Sequence, residues 1–192
     1  IHRFFGADPQ QSQDLARIVN QKHFDRLTDL LSGEIVLGGQ TDPDDRYIAP
    51  TVIDVADPAQ HPAMQEEIFG PILPVIGYHS LDEAIAFVNE RPKPLALYFF
   101  SSSSRHQDQV LAQTSSGGVC LNDTIVHLSS TDLPFGGVGP SGMGHYHGQA
   151  SFDTFSHHKS VMKRGFFFDP AVRYPPYQTS LGLLRDLVKW LG

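Results

Sequence analysis

The 192-residue sequence contains one cysteine, Cys120, and no apolar run long enough to cross a bilayer. One cysteine cannot form an internal disulfide, so we expect a reducing compartment, the cytoplasm. Basic residues are also scarce, 14 Lys and Arg against 21 Asp and Glu, and they form no stripe. This pattern excludes nucleic acid as a partner. The start, Ile1-His2-Arg3, lacks an initiator Met and a signal-peptide profile, so we expect a longer parent polypeptide.

The spacing of apolar residues predicts an α/β protein. The predicted helices are 12–31, 80–88, 104–114 and the tail 181–191. The predicted strands are 34–39, 49–53, 72–78, 95–100, 118–121 and 151–163. Strand, helix, strand, helix, strand between 72 and 121 indicates a parallel sheet with crossovers. In such sheets ligands bind at the carboxyl ends of the strands.

The first candidate site is Glu66-Glu67-Ile68-Phe69-Gly70-Pro71. A carboxylate can accept two hydrogen bonds from a sugar diol, and an aromatic ring can lie against a flat heterocycle. Glu67 and Phe69 could therefore hold a nicotinamide riboside. The structural alternative is a pair of solvated glutamates followed by a core phenylalanine.

A second motif strengthens the first. Pro134-Phe135-Gly136-Gly137 is followed by Ser141-Gly142-Met143-Gly144, and glycines let a loop approach a ligand or strand closely. Together, in this order and spacing, the two motifs resemble the NAD(P)-dependent aldehyde dehydrogenases over nearly the whole chain. This resemblance implies part of that family's parallel-sheet catalytic domain at 1–150. It also implies an oligomerisation strand, a Pro-rich arm and an amphipathic C-terminal helix at 151–192, which would join a homodimer.

The resemblance also implies roles for single residues. Glu67 would hold the nicotinamide ribose, Phe69 would contact the nicotinamide, and Phe135 would line the substrate tunnel, although Phe135 could equally be a hydrophobic plug. Three further residues match pocket positions of the class-three-like branch, which includes coniferyl aldehyde dehydrogenases: Leu128, Ser129 and His147. That branch is also indicated by Asn122-Asp123 and Tyr174-Pro175-Pro176-Tyr177.

The activity that the resemblance implies is oxidation of an aldehyde, aromatic by branch, to a carboxylate with NAD or NADP. The family's reaction passes through a cysteine thiohemiacetal and a thioester. Its nucleophilic cysteine and general-base glutamate are expected upstream of Ile1, so the chain alone is expected to be inactive. The alternative is a non-catalytic dimerisation domain that binds a nucleotide or a partner through the same Gly-rich loops.

Three tempting patterns are interpreted as structural. Residues 137–142 match G-x-G-x-x-G, but no apolar strand leads into them and no acidic residue follows at the required distance. Cys120 lies in a Val-rich strand with no His or Lys beside it to favour the thiolate, so we interpret it as a buried strand residue rather than a nucleophile. The ten histidines, among them His145, His147, His157 and His158, lack the spacing of a metal site.

The tail has apolar and charged sides. Leu184, Leu187, Val188 and Leu191 share one side, and Arg185, Asp186 and Lys189 lie opposite. A membrane-surface helix is one interpretation, but the tail is short and charged, which favours packing against a partner subunit or the chain's own body.

Overall fold

A computed structural model describes residues 1–167, 169, 173–176 and 180–191. In these ranges the α-helices are α1 (His2–Phe5), α2 (Gln21–Asp29), α3 (Leu81–Asn89), α4 (Ser104–Gln113), α5 (Gly148–Phe155) and α6 (Leu181–Leu191). The strands are β1 (Glu34–Leu37), β2 (Thr41–Asp42), β3 (Tyr47–Ile48), β4 (Thr51–Asp54), β5 (Ile72–Val75), β6 (Ala96–Phe99) and β7 (Gly118–Leu121). Short 3-10 helices span Pro9–Gln11, Pro62–Met64 and Val126–Ser129.

The described strands form two parallel pairs and two antiparallel ones. β4 pairs with β5 in parallel, and β1 adds antiparallel to the other edge of β4. β6 and β7 form the second parallel pair, with α4 as their crossover. β2 and β3 form a small antiparallel hairpin. The predicted α/β class with parallel pairing is confirmed. The expectation of one parallel sheet between 72 and 121 is wrong for the described residues, because β5 pairs with β4 while β6 and β7 form a separate pair.

The main core lies between α2 and the sheet β1–β4–β5. Leu27 of α2 and Ile53 of β4 are fully buried at its centre. The remaining buried members are Ile18, Phe24, Leu30, Ile48, Val55, Ala63 and Ile72. Burial of an aliphatic side chain of this kind stabilises a fold by about 1.5–3 kcal/mol. Because α2 and β5 share this core, the loop that leads into β5 is fixed against α2.

The predicted helix at 12–31 begins later than expected. Asn20 caps α2, accepting a hydrogen bond from the His23 backbone N–H at 2.8 Å. Before it, the backbone of Ile18 bonds to Arg46, whose carbonyl accepts from the Ile18 N–H at 3.1 Å. These long-range bonds hold residues 12–19 in irregular structure, although their apolar spacing is helical.

Gln10 and Arg17 connect this irregular part of the chain to residues 42–45. The Gln10 amide donates to Asp42 at 2.8 Å, and this bond, with the backbone N–H of Asp45, lowers the pKa of the Asp42 carboxyl. Arg17 forms an ion pair with Asp45 at 2.7 Å.

The C-terminal part also departs from expectation. The first residues of the predicted strand 151–163 belong to α5, and residues 156–163 have no strand partner among the described residues. The helical tail is confirmed as α6, although the side chains of Leu187 and Leu191 lie outside the described parts of the chain, as do Phe168 and Tyr177. In the described ranges we find no helix with the length and apolar character needed to span a membrane.

Candidate functional site

The Glu67–Phe69 loop is held to α2 by Arg26. The Arg26 guanidinium pairs with the Glu66 carboxylate, Nη1 to Oε1, at 2.5 Å. Its Nη2 donates to the Ile68 carbonyl oxygen at 2.5 Å. One planar guanidinium therefore fixes a side chain and the backbone of the same loop.

His23, one turn before Arg26 on α2, adds a further bond to the loop. Its Nε2 lies 2.8 Å from the Phe69 carbonyl oxygen. Since a carbonyl oxygen only accepts, Nε2 carries the hydrogen and Nδ1 is the acceptor. The Nε–H of Arg26 faces that Nδ1 at 3.4 Å, which fits this tautomer.

Gly70 lets the loop close onto the core. A Cβ built on Gly70 would lie 2.7 Å from both terminal methyl carbons of Leu27, which is fully buried. Any side chain at position 70 would therefore push the loop away from α2.

The loop holds Glu67 and Phe69 by their backbone carbonyls and leaves their side chains unpartnered among the described residues. The Glu67 side chain is exposed and, among the described residues, has no hydrogen-bond or ion-pair partner, whereas Glu66 is engaged by Arg26. Phe69 has a φ of 52° and its side chain is 75% exposed. The alternative of a core phenylalanine does not hold for this chain. A free carboxylate and an aromatic ring stand on one rigidly supported loop.

A second group of candidates surrounds Phe135. Its backbone forms an antiparallel bridge with Tyr146, with both N–H to carbonyl distances at 2.9 Å. Its ring contacts those of Tyr146 and His147 at centroid separations of 5.5 and 6.2 Å. The Phe135 ring also contacts that of His127 at a centroid separation of 5.8 Å, and His127 in turn contacts Tyr98 of β6 at 5.8 Å. We call these five residues the aromatic cluster.

The Gly-rich loop places Phe135 in this cluster by backbone contact. A Cβ on Gly136 would lie 2.2 Å from the Gly144 carbonyl oxygen. The backbone segments at Gly136 and Gly144 therefore pack directly against each other, with no side chain between them. His147, at a φ of 86°, donates through Nδ1 to the Leu133 carbonyl oxygen at 3.3 Å. Leu128 and Ser129 follow His127 on the 3-10 helix Val126–Ser129, and both are exposed.

The predicted site residues therefore fall into two groups. Phe135 and His147 are brought together directly, and Leu128 and Ser129 adjoin them through His127. Glu67 and Phe69 form the other group on the loop before β5. No hydrogen bond, ion pair or ring contact joins the two groups in the ranges that the structure describes.

The structure also places the residues interpreted as structural. Cys120 is half-buried in β7, opposite Tyr98 of β6. Residues 137–142 form a closed turn, in which Gly139 bridges Gly142 and no helix begins. Within the described residues, no three His, Cys, Asp or Glu side chains are close enough to hold a metal ion.

The chain is similar to known proteins in sequence and in structure. The sequence profile described as "Aldehyde dehydrogenase family" matches residues 5–161. The chain belongs to the aldehyde dehydrogenase family. The human "Aldehyde dehydrogenase family 3 member B1" is 58% identical over 180 residues, which are 92% of this chain and 38% of that protein. The mouse "Aldehyde dehydrogenase, dimeric NADP-preferring" is 52% identical over 176 residues, 90% of this chain and 39% of that protein.

Among solved structures, the "Substrate bound state of Staphylococcus Aureus AldH" has a TM-score of 0.79 and 49% identity, covering 97% of this chain and 41% of that one. This similarity confirms the aldehyde dehydrogenase fold for the described part of the chain. The chain spans about two fifths of the length of the curated relatives it matches.

His23 and Arg26, the two residues that hold the Glu67 loop, were not predicted from the sequence. Their signal is spacing, because residues three apart on a helix lie on the same face. Nothing local shows that this face meets residues 66–69, which are 40 or more positions away.

Proposed function

We propose that this chain is the part of an NAD(P)-dependent aldehyde dehydrogenase that receives the nicotinamide end of the cofactor and forms one wall of the aldehyde pocket. The whole protein would oxidise an aldehyde to a carboxylate. One observation carries the proposal: the unpartnered Glu67 carboxylate and the exposed Phe69 ring stand on a loop that α2 fixes at four points.

The chemistry of the loop fits a nicotinamide riboside. A carboxylate with free oxygens can accept hydrogen bonds from both ribose hydroxyls, and such charge-assisted bonds are the strong ones. The Phe69 ring offers an apolar face to the nicotinamide. When bound, NAD or NADP supplies the acceptor for the hydride that leaves the aldehyde carbon.

This chain's own contribution is to bind and orient. The bonds from His23 and Arg26 hold the loop backbone, so the backbone that carries Glu67 does not have to be ordered when the cofactor binds. A nicotinamide held in one position favours hydride transfer, because proximity and orientation account for a large part of an enzymatic barrier.

We assign the aldehyde pocket to Phe135 and His147 of the aromatic cluster, together with Leu128 and Ser129. Phe135 is half-buried in the cluster, with the exposed residues Leu128 and Ser129 beside it and His147 against its ring. Aromatic and apolar side chains with few polar groups are typical of sites for small organic ligands. An aromatic aldehyde of the coniferyl type, as in the class-three-like branch, is the substrate that we propose.

The partner that we propose is a second copy, through residues 151–192. In the described part of this segment, large apolar side chains are mostly exposed: Phe152, Phe155, Phe166, Phe167, Leu181, Leu183, Val188 and Trp190. Exposed apolar surface of this extent is typical of an interaction site. The mouse relative that is named dimeric supports the same proposal.

The test uses the full-length protein that contains this chain, supplied with NAD or NADP and with benzaldehyde, coniferyl aldehyde or acetaldehyde. We expect reduced cofactor to form at the rate of carboxylate release. Absence of turnover with all three aldehydes and both cofactors would contradict the proposal. Binding of a nucleotide or of a second copy without turnover would then favour the non-catalytic domain.

A further inference from the structure

The imidazole of His127 has an unusual environment. Neither ring nitrogen is accessible to solvent, and neither has a hydrogen-bond partner in the described part of the chain. Buried polar side-chain atoms nearly always have a partner. The ring is therefore held in place by its shape and its neighbours.

Those neighbours tie His127 to the sheet. The ring meets Tyr98 of β6 edge-on, with an interplanar angle of 74°. Beneath it lies Gly118, the first residue of β7, where a Cβ would come within 3.0 Å of the His127 Cδ2 and 3.2 Å of Nε2. The absence of a side chain at position 118 makes the room in which the imidazole lies.

His127 also contacts the Gly-rich loop, through Phe135. Its ring contacts that of Phe135 at an interplanar angle of 55°. The Phe135 ring in turn contacts the rings of Tyr146 and His147. His127 thus lies between the rigid strand pair β6–β7 and the aromatic side chains assigned to the aldehyde pocket. Leu128 and Ser129, the other pocket candidates, follow it directly in the chain.

We propose that His127 is a positioning residue that sets the place of the Phe135 ring, and with it the bulk of aldehyde that the pocket accepts. The inference rests on the proposed function and names a specificity determinant for it. His127 acts through ring packing, since its nitrogens make no hydrogen bond within the described residues. Cofactor binding is independent of it, because His23 and Arg26 hold the Glu67 loop from α2.

The experiment compares benzaldehyde with acetaldehyde in the full-length protein. His127→Ala removes the packing ring, Gly118→Ala displaces it, and His127→Phe restores an aromatic ring without the nitrogens. Gly77→Ala is the matched control, since a Cβ at Gly77 would have no heavy atom within 4 Å. The readouts are kcat/KM for both aldehydes and the Kd of the reduced cofactor.

We expect His127→Ala and Gly118→Ala to change the ratio of the two kcat/KM values by about tenfold. The cofactor Kd should stay within about twofold of the wild type, and His127→Phe and Gly77→Ala should keep the wild-type ratio. An equal loss with both aldehydes, or an unchanged ratio, would overturn the inference.

A second readout does not need enzymatic activity. The Tm values of the wild type, His127→Ala, Phe135→Leu and the double variant together form a double-mutant cycle. We expect the Tm loss of the double variant to be smaller than the sum of the single losses, because both changes remove the same ring contact. If the Tm losses of the two single variants add up in the double variant, and the full-length protein is active, the proposed role of His127 is overturned while the proposed function stands. A wild type that oxidises neither aldehyde would instead refute the proposed function.

Discussion

Arg26 pairs with Glu66 and leaves its neighbour Glu67 free. The contact, 2.5 Å from Nη1 to Oε1, joins side chains that are 31% and 53% exposed. An ion pair with this exposure contributes at most about 1 kcal/mol. Its importance lies in geometry, since the same guanidinium also binds the Ile68 carbonyl and so sets the loop on which Glu67 stands.

Arg26→Gln should therefore impair catalysis as well as stability. Loss of the fork of hydrogen bonds should lower the free energy of unfolding by about 1–2 kcal/mol and slow cofactor reduction by about tenfold, because the loop loses its fixed shape. Thermal unfolding and single-turnover kinetics of the full-length protein measure the two effects. Arg105→Gln, at an exposed position on α4, is the matched control, and equal effects of both changes would contradict the prediction.

Gly70→Ala should destabilise the protein by about 1–3 kcal/mol, because its methyl group would overlap the Leu27 side chain in a filled core. The built Cβ lies 2.7 Å from two Leu27 carbons. Chemical denaturation of this variant, with Gly77→Ala as control, measures the cost. A loss no larger than that of Gly77→Ala would show that the loop is free to move away from α2.

Local signals predicted the elements that depend on neighbours in sequence. Ser80 and Glu83 predicted the start of α3, and the Ser80 hydroxyl does accept from the Glu83 N–H at 3.2 Å. The reach of Glu83 back to the N–H of His79, at 2.8 Å, completes the cap one residue earlier than in the usual capping box. The strand 118–121 was predicted with its observed bounds.

Elements that depend on distant residues were predicted less well. The helical spacing of residues 12–19 is overridden by bonds from Ile18 to Arg46, 28 positions away. The pairing of β5 with β4 is set by the sheet, and the order of strands in the sequence does not reveal it. For the same reason the sequence predicted Glu67 and Phe69 as candidates but not the α2 side chains that position them.

The 192-residue chain by itself should not oxidise aldehydes. Its cysteine, Cys120, has no hydrogen-bond or ion-pair partner among the described residues that would activate a thiolate. Assay of the purified chain with NAD or NADP and benzaldehyde checks this expectation. Turnover that Cys120→Ser abolishes would make Cys120 the nucleophile.

Deletion of residues 181–192 should weaken subunit association in the full-length protein. The apolar residues Leu181, Leu183 and Trp190 of α6 are exposed in this chain, and a partner subunit would cover them. Light scattering of the intact and truncated proteins compares their masses. A truncated protein that keeps the mass of the intact one would place α6 outside the subunit interface.

Glu67→Gln in the full-length protein tests the candidate site most directly. Glutamine keeps the size of the side chain and one acceptor oxygen but loses the charge, so its bonds to two ribose hydroxyls should weaken by about 1.5–3 kcal/mol. Most of that loss should appear in hydride transfer, because the rest of the cofactor still anchors it while the nicotinamide is less well placed. We expect slow formation of reduced cofactor in a single turnover, with a nearly unchanged cofactor Kd.

Glu66→Gln is the control that the structure supplies. Its carboxylate already pairs with Arg26, so this substitution loses one partly exposed ion pair, worth about 1 kcal/mol or less, and leaves the free carboxylate of Glu67 in place. The Glu67 variant should therefore reduce the cofactor at least several-fold more slowly than the Glu66 variant. If both variants lose the same small amount of activity, Glu67 does not hold the ribose, and the loop before β5 supports the fold rather than the cofactor.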